Sequence, residues 1–364
     1  MKVLFLTNLP APYRVNFFTE LGKKCELTVL YERTSASDRD AKWRVEAGKT
    51  YKEVYLNGCE VGADNAFCPN VVKYLNKDYD TVVIGMYSTY TAMLAMLWMK
   101  MRGIKYVIST DGGFIHQESE RKKEFKRFWI SSASYWIGTG KMAREYLCYY
   151  GAKNDRIFDY PFTSVDQEDI ISEIPTAQSK RCLRKKLGIE ADKVVVSVGQ
   201  FIFRKGFDVL LDASKSVQCQ GIEYVIIGGD RETFVKNVSP DIPSNVKILP
   251  FMSKQELFQY YLASDIFVLP TREDVWGLVV NEAMACGLPV ITTNKCGAGI
   301  ELIENGVNGM IVKAGDSDSL AKGIETLLNS PNPNEQIKKA IDMCKNYTYQ
   351  SMAQCCYDIF RKMC

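Results

Sequence analysis

Residues 269–293, LPTREDVWGLVVNEAMACGLPVITT, constrain this chain more than any other stretch. An apolar lead-in ends at Leu269, a polar corner follows over 270–274, Gly277 opens a run whose only charge is Glu282, and Gly287-Leu288-Pro289 turns into Val290-Ile291-Thr292. That order reads strand, loop, helix, turn, strand, the repeating unit of a parallel sheet. A carboxylate inside GLVVNEAMACG is the anomaly. Burying an unpaired charge is costly, so Glu282 stands at the mouth of a cleft or is bonded to something that needs an acceptor. Gly277 lets another molecule approach the backbone, and the free N–H groups of Gly277, Leu278 and Val279 in the first helical turn suit a phosphate. A diphosphate there, with hydroxyls at Glu282, fits a nucleotide sugar.

The same residues resemble the signature of the retaining glycosyltransferases of family 4. In that signature two acids eight positions apart flank a glycine-containing helix start, followed by EAMA-x-G-x-P-V. Glu282 matches the second acid, and Asp274 stands where the family usually has Glu. The resemblance implies a GT-B architecture, two doubly wound α/β domains with parallel sheets facing each other across a cleft.

Length agrees with two domains, because 364 residues exceed what one ordinary core supports. Hydrophobic residues at 46% and charged residues at 24% describe a soluble globular chain, not a disordered one. The net charge of +3 does not indicate nucleic acid as a partner. All of that excess lies in the first half, with 24 Lys and Arg against 21 Asp and Glu in residues 1–170. Twelve cysteines are scattered without a C-x-x-C pair or metal-type spacing. The apolar start is only residues 3–6, so no signal peptide is read, and free thiols in a reducing cytoplasm are expected. The longest apolar stretch, 91–99, is about half of what spans a bilayer and reads as a buried helix.

In the first half, KVLFLT at 2–7 leads into the turn-rich 8–12 and a helix over 13–24. Further strands are expected at 27–31, 81–86, 105–109 and 135–139, with helices near 68–76, 88–102, 117–130 and 141–150. Such alternation means a parallel sheet covered on both faces. Arg14, just past Pro10 and Pro12, either reaches an anion or is a solvated first-turn residue. The family usually has a glycine-rich loop here, from which NLPAPYR departs. Asp111, beside Gly112 and Gly113, is either an ordinary turn residue or, by the resemblance, lies where relatives place a group facing the acceptor and the donor sugar. His116, the only histidine, reads as structural or solvent-facing. Residues 117–130, QESERKKEFKRFWI, have two readings. Either the aromatics Phe125, Phe128 and Trp129 face the sheet under a solvated charged side, or they dip into a membrane whose anionic headgroups meet the Lys and Arg.

Residues 166–180 lapse into polar patterning with Pro175 and read as a linker between a domain at 1–165 and one at 181–346. The second domain opens with a strand ending at Gly199 and a basic loop, Gln200-Phe201-Ile202-Phe203-Arg204-Lys205-Gly206. This is similar to the family's phosphate-holding loop, with Gln200 where Arg is usual and Arg204 as the substitute charge. Strands at 223–227 and 246–249 follow, and by the resemblance Phe251 and Met252 contact the base, taken as uracil. The segment 296–301 matches the family's Gly-Gly-x-x-Glu with one alanine, and 347–364 is the last helix that in the family returns to the first domain.

The resemblance thus implies a metal-independent retaining transferase with a UDP-sugar donor and no cofactor. Arg204, Lys205, Asp274 and Glu282 are the catalytic set. Arg14, Asp111, Gly199, Phe251, Met252, Gly277, Leu278 and Val279 are the substrate-binding set. Its acceptor is a lipid-linked glycan of surface-polysaccharide assembly or a membrane glycolipid, met in the cytoplasm at the membrane face. Two other classes stay open, a nucleotide-sugar epimerase and a non-catalytic nucleotide-sugar binder.

Overall fold

Strands that are apolar at nearly every position are covered on both faces, and KVLFLT forms such a strand, β1 (Lys2–Thr7), with only Lys2 in solvent. The computed structural model describes residues 1–34, 50–61 and 65–363. They form two units, Met1–Thr163 with Tyr349–Cys364, and Ser164–Thr348.

In the first unit α1 (Pro12–Gly22) follows β1. Next come β2 (Glu26–Tyr31), β3 (Lys52–Tyr55), the antiparallel hairpin of β4 (Cys59–Val61) and β5 (Asn65–Phe67), and then β6 (Thr81–Ile84). After these come α2 (Tyr90–Arg102), β7 (Val107–Thr110), α3 (Glu120–Ile130), β8 (Tyr135–Gly138), α4 (Lys141–Tyr149) and β9 (Ile157–Asp159). The sheet order is β3-β2-β1-β6-β7-β8-β9, parallel throughout. The chain runs outward from β1 to β3 and returns to β6, so the order reverses between β1 and β6.

The expected helix near 68–76 is instead a 3-10 turn over Pro69–Lys73 that buries only Val71, too little apolar surface to extend a helix. Helix α2 is not buried all round: Ala92, Ala95, Met96 and Met99 face the core, while Leu97 and Met101 face out.

In the second unit α5 (Ala177–Lys186) precedes β10 (Lys193–Val198), α6 (Phe207–Ser216), β11 (Ile222–Ile227), α7 (Arg231–Asn237), β12 (Val246–Leu249) and α8 (Lys254–Ala263). Then come β13 (Ile266–Leu269), α9 (Leu278–Ala285), β14 (Val290–Thr293), α10 (Gly297–Leu302), β15 (Gly309–Val312), α11 (Ser317–Leu328) and α12 (Pro333–Cys344). The sheet order is β12-β11-β10-β13-β14-β15, again parallel, and it reverses between β10 and β13. Residues read as linker are packed within this unit. Ile171 N–H donates to the Ala285 carbonyl at 3.0 Å, and Lys254 Nζ donates to Asp169 at 2.5 Å. Helix α13 (Tyr349–Met363) belongs to the first unit, burying Met352, Cys356, Ile359 and Phe360, and Lys24 donates to Gln354 at 2.7 Å.

One acid in the first unit is buried beside threonine hydroxyls. Glu32, at the end of β2, accepts from Thr89 Oγ1 at 2.7 Å through one oxygen, and its other oxygen is buried without a hydrogen-bond partner among the described residues. Burial raises its pKa to about 7, opposed by the nearby hydroxyls of Thr89 and Thr91 and the charge of Arg33. A folded-state pKa above the unfolded value means the native state holds the proton more tightly, so stability is greatest below the unfolded pKa and declines as pH climbs through 7. Urea unfolding between pH 5 and 8 should therefore show a loss of about 3 kcal/mol from this group. Glu32→Gln should remove that slope.

Candidate functional site

In an open parallel sheet the loops at the strand carboxyl ends diverge where the order reverses, leaving room for a ligand. In the second unit those loops are 199–206 after β10 and 270–277 after β13, and they are bonded together rather than merely adjacent. The Arg204 carbonyl accepts from Arg272 N–H at 2.8 Å and Thr271 Oγ1 at 3.0 Å, and Arg204 Nη1 donates to the Glu273 carbonyl at 2.8 Å. Gly206 has φ +69°, and a Cβ there would overlap the Pro270 carbonyl oxygen. Arg272 forks onto Asp208 at 2.8 and 2.6 Å and lies 4.0 Å from the Phe203 ring centroid, bracing the outer side of the loop.

The side chains meet at Asp274. Lys205 Nζ is 2.5 Å from one carboxylate oxygen and Arg204 Nη1 is 3.7 Å from the other. The Lys205 and Asp274 side chains are 13% and 12% exposed, whereas Arg204 is 44% exposed. Gly277 caps α9 with φ +93°, and a Cβ on it would lie 3.6 Å from Asp274 and 2.9 Å from the Cys296 thiol. Leu278 and Val279 are half-buried, and the first turn of α9 carries no acidic residue. Two cations and a positive helix end thus converge on one carboxylate, which is the anion they currently hold. Cys296, whose thiol donates to the Trp276 carbonyl at 3.1 Å, is pushed up to about 12 by burial and the charge of Asp274, and so stays a neutral wall.

Glu282, on the next turn of α9, resolves the sequence anomaly. It accepts from Ser164 Oγ at 2.6 Å and from Tyr261 OH at 3.3 Å. Lys254 reaches the Ser164 carbonyl at 3.1 Å, placing a cation behind the carboxylate. Burial raises the Glu282 pKa, opposed by Ser164, Lys254 and Tyr261. Phe251 is exposed and Met252 half-buried on the loop after β12, while Gly199 packs so closely under Gly228 that a Cβ on Gly228 would overlap the Gly199 carbonyl oxygen.

In the first unit Arg14, in the first turn of α1, and Asp111, on the loop after β7, form an ion pair at 2.6 Å. Arg14 is buried, with its guanidinium 5.1 Å from the Phe162 ring centroid and 5.5 Å from that of Tyr13. Burial alone would lower its pKa; the charge of Asp111, with Tyr160 and Tyr13, more than offsets this. Arg14 is therefore not a solvated first-turn residue, and Asp111 is held rather than loose in a turn. Ser164, Tyr261 and Arg272 were not singled out from sequence, since nothing local marks a serine or tyrosine as the partner of a carboxylate far along the chain. Among the described residues, no three His, Cys, Asp or Glu are grouped so as to hold a metal ion.

Two doubly wound units of this topology make the chain a GT-B fold. A structure of Anabaena HepE in complex with UDP and glucose aligns over 100% of both chains with a TM-score of 0.77 at 18% identity. Residues 179–342, the bulk of the second unit, match the family described as Glycosyl transferases group 1. A GDP-mannose-dependent monoacylated alpha-(1-6)-phosphatidylinositol monomannoside mannosyltransferase of Corynebacterium glutamicum is 32% identical over 167 residues, 43% of each chain. The amylovoran biosynthesis glycosyltransferase AmsK of Erwinia amylovora is 36% identical over 138 residues, 35% of this chain and 34% of that one. The chain spans about half the length of the curated relatives it matches.

The corner's geometry depends on Gly277, whose conformation an L side chain rarely adopts. Gly277→Ala should destabilise the protein by about 2 kcal/mol in urea unfolding, from backbone strain and the crowding of Cys296 and Leu269.

Proposed function

We propose that this protein is a retaining glycosyltransferase that moves a hexose from a UDP-sugar to a lipid-linked glycan or membrane glycolipid in cell-surface assembly, at the cytoplasmic face of the membrane. The observation that carries this reading is the convergence of Arg204, Lys205 and the tip of α9 on a single carboxylate at the point where the sheet order reverses.

Sugar transfer builds positive charge on the anomeric carbon and negative charge on the leaving diphosphate, so preorganised cations and dipoles at the phosphates are the largest available contribution. Lys205, Arg204 and the amides of Gly277, Leu278 and Val279 would take the diphosphate, supplying without a metal the charge that it needs. Asp274, displaced from Lys205 by the incoming phosphate, would turn to the hydroxyls of the donor sugar and face the developing cation. Glu282, steadied by Ser164 and Tyr261, has lone pairs left for the ribose diol. Gly199 would let the donor approach the backbone, and Phe251 and Met252 would pack on the base. Retention follows if the acceptor attacks from the face of the leaving phosphate, which then receives its proton. Asp111, held by Arg14, would orient hydroxyls of the sugar or the acceptor.

Uridine is supported by HepE, solved with UDP and glucose; the Corynebacterium relative is named for GDP-mannose instead. The lipid-linked acceptor is supported by that same relative, named for a phosphatidylinositol mannoside, and surface polysaccharide by the amylovoran relative.

Calorimetric titration should show UDP binding at least about tenfold tighter than GDP, a difference of about 1.4 kcal/mol. Tighter GDP would overturn the donor assignment. The Arg204→Ala, Lys205→Ala double variant should lose at least about a hundredfold in kcat/KM, about 2.7 kcal/mol of transition-state stabilisation. Unchanged turnover would place the phosphates elsewhere. Asp274→Asn separates the carboxylate's two roles. It should bind UDP about three- to tenfold more tightly, because a competitor for Lys205 is gone, yet transfer sugar more slowly than the native protein.

A further inference from the structure

Helix α9 carries a second buried polar side chain, Asn281, for which the chemistry above has no use. Asn281 is wholly buried, and its Oδ1 accepts from the Trp276 indole N–H at 2.8 Å. Trp276 is 4% exposed and directly precedes Gly277, and its ring stacks on Tyr347 with the centroids 6.3 Å apart. A buried polar pair contributes little net stability over apolar side chains of the same shape, so what it adds is a fixed geometry. Here the bond ties the residue before the helix cap to the body of α9.

The backbone of Trp276 is held from another direction. Its carbonyl accepts from Ala298 N–H at 2.8 Å and from the Cys296 thiol at 3.1 Å, and Gly297 N–H donates to the Asp274 carbonyl at 3.1 Å. Gly297 permits this approach, because a Cβ there would overlap the Val275 carbonyl oxygen. The first amides of α10 therefore hold the backbone of residues 274–276. In a trans peptide the C=O and the following N–H point in opposite directions. A Trp276 carbonyl turned toward α10 thus turns the Gly277 N–H away from it. Gly277 is buried, yet among the described residues its N–H donates to no group, nor do those of Leu278 and Val279. A buried amide without an acceptor is rare, and the neighbouring residue keeps this one open.

We propose that Trp276 is a positioning residue for the leaving diphosphate: held by Asn281 through its side chain and by α10 through its carbonyl, it aims the Gly277 amide at an anionic oxygen. This rests on the donor reading above, and Trp276 acts only through Gly277. A peptide plane fixed in advance needs no reorganisation as negative charge grows on the phosphate, which is when such a donor contributes most. Without the indole bond the Trp276–Gly277 peptide loses its tie to the body of α9, and the aim of the amide is lost. Glu282, fixed separately by Ser164 and Tyr261, stays in place for the ribose.

The test is calorimetric titration of the full chain with UDP, uridine and pyrophosphate, for the native protein, for Trp276→Phe, and for Trp276→Phe combined with Asn281→Leu. Trp276→Phe should weaken UDP and pyrophosphate at least about tenfold and uridine less than about twofold. The double variant removes both buried polar partners, so it should recover thermal stability without recovering UDP affinity. A parallel loss of UDP and uridine, or a return of UDP affinity together with stability in the double variant, would mean that Trp276 only supports the fold, and overturns the proposal. Native-level UDP affinity in Trp276→Phe overturns it too, as does a native protein that binds neither UDP nor pyrophosphate. If neither variant folds, amide exchange on the native protein decides. The Ala298 N–H should exchange more slowly than the Gly277 N–H, and pyrophosphate should slow Gly277 at least about tenfold. A freely exchanging Ala298 amide, or a Gly277 amide that pyrophosphate leaves unchanged, overturns the proposal. Pyrophosphate binding without UDP or uridine binding would instead defeat the donor assignment and leave the positioning role standing.

Discussion

The contact between Lys205 and Asp274 joins the loops that follow β10 and β13, and the carboxyl edge of the second unit is built around it. Both side chains are almost wholly removed from water, so each charge relies on the other for its solvation; loss of either leaves an isolated buried ion. The backbone bonds around Arg204 hold the loops in register, and the positive φ of Gly206 and Gly277 makes the close approach possible. The pair is therefore a structural clasp: Arg204 and Lys205 are assembled around Asp274, whose charge offsets the cost of holding two cations together.

A second arrangement sits one helical turn further along α9. Glu282 is a carboxylate whose own burial disfavours its charge, steadied by Ser164 and by a tyrosine and a lysine that both belong to α8. Ser164 is the first residue of the second unit, so the end of the connection between the units is itself a supporting element for α9. The short helix thus presents two kinds of group from one rigid body, backbone amides at its tip and a hydrogen-bond acceptor on its flank.

How much of this was legible in the sequence depended on distance along the chain. The strand, loop and helix over 269–293 could be read because its glycines, its lone acid and its apolar run are local, and Lys205 because it lies between glycines after an apolar strand. Arg14 was visible as a cation just past one strand-end loop and Asp111 as an acid on another, but their pairing spans 97 positions and only the fold sets it. Ser164 and Tyr261 were invisible for the same reason. The polar composition of 166–180 concealed Ile171 and Asp169, whose single bonds to α9 and α8 fasten the segment down. Edge strands β3 and β9 were missed because they are short and partly exposed, without the continuous apolar run that marks β1.

Helix α13 covers α1, although the entire second unit separates them in sequence. During synthesis the first unit emerges early and must wait, its α1 face bare, until some 185 further residues, 164–348, have followed. Completion of the amino-terminal half is therefore timed by the carboxyl-terminal half, and the nascent chain carries an unfinished apolar seam for that interval.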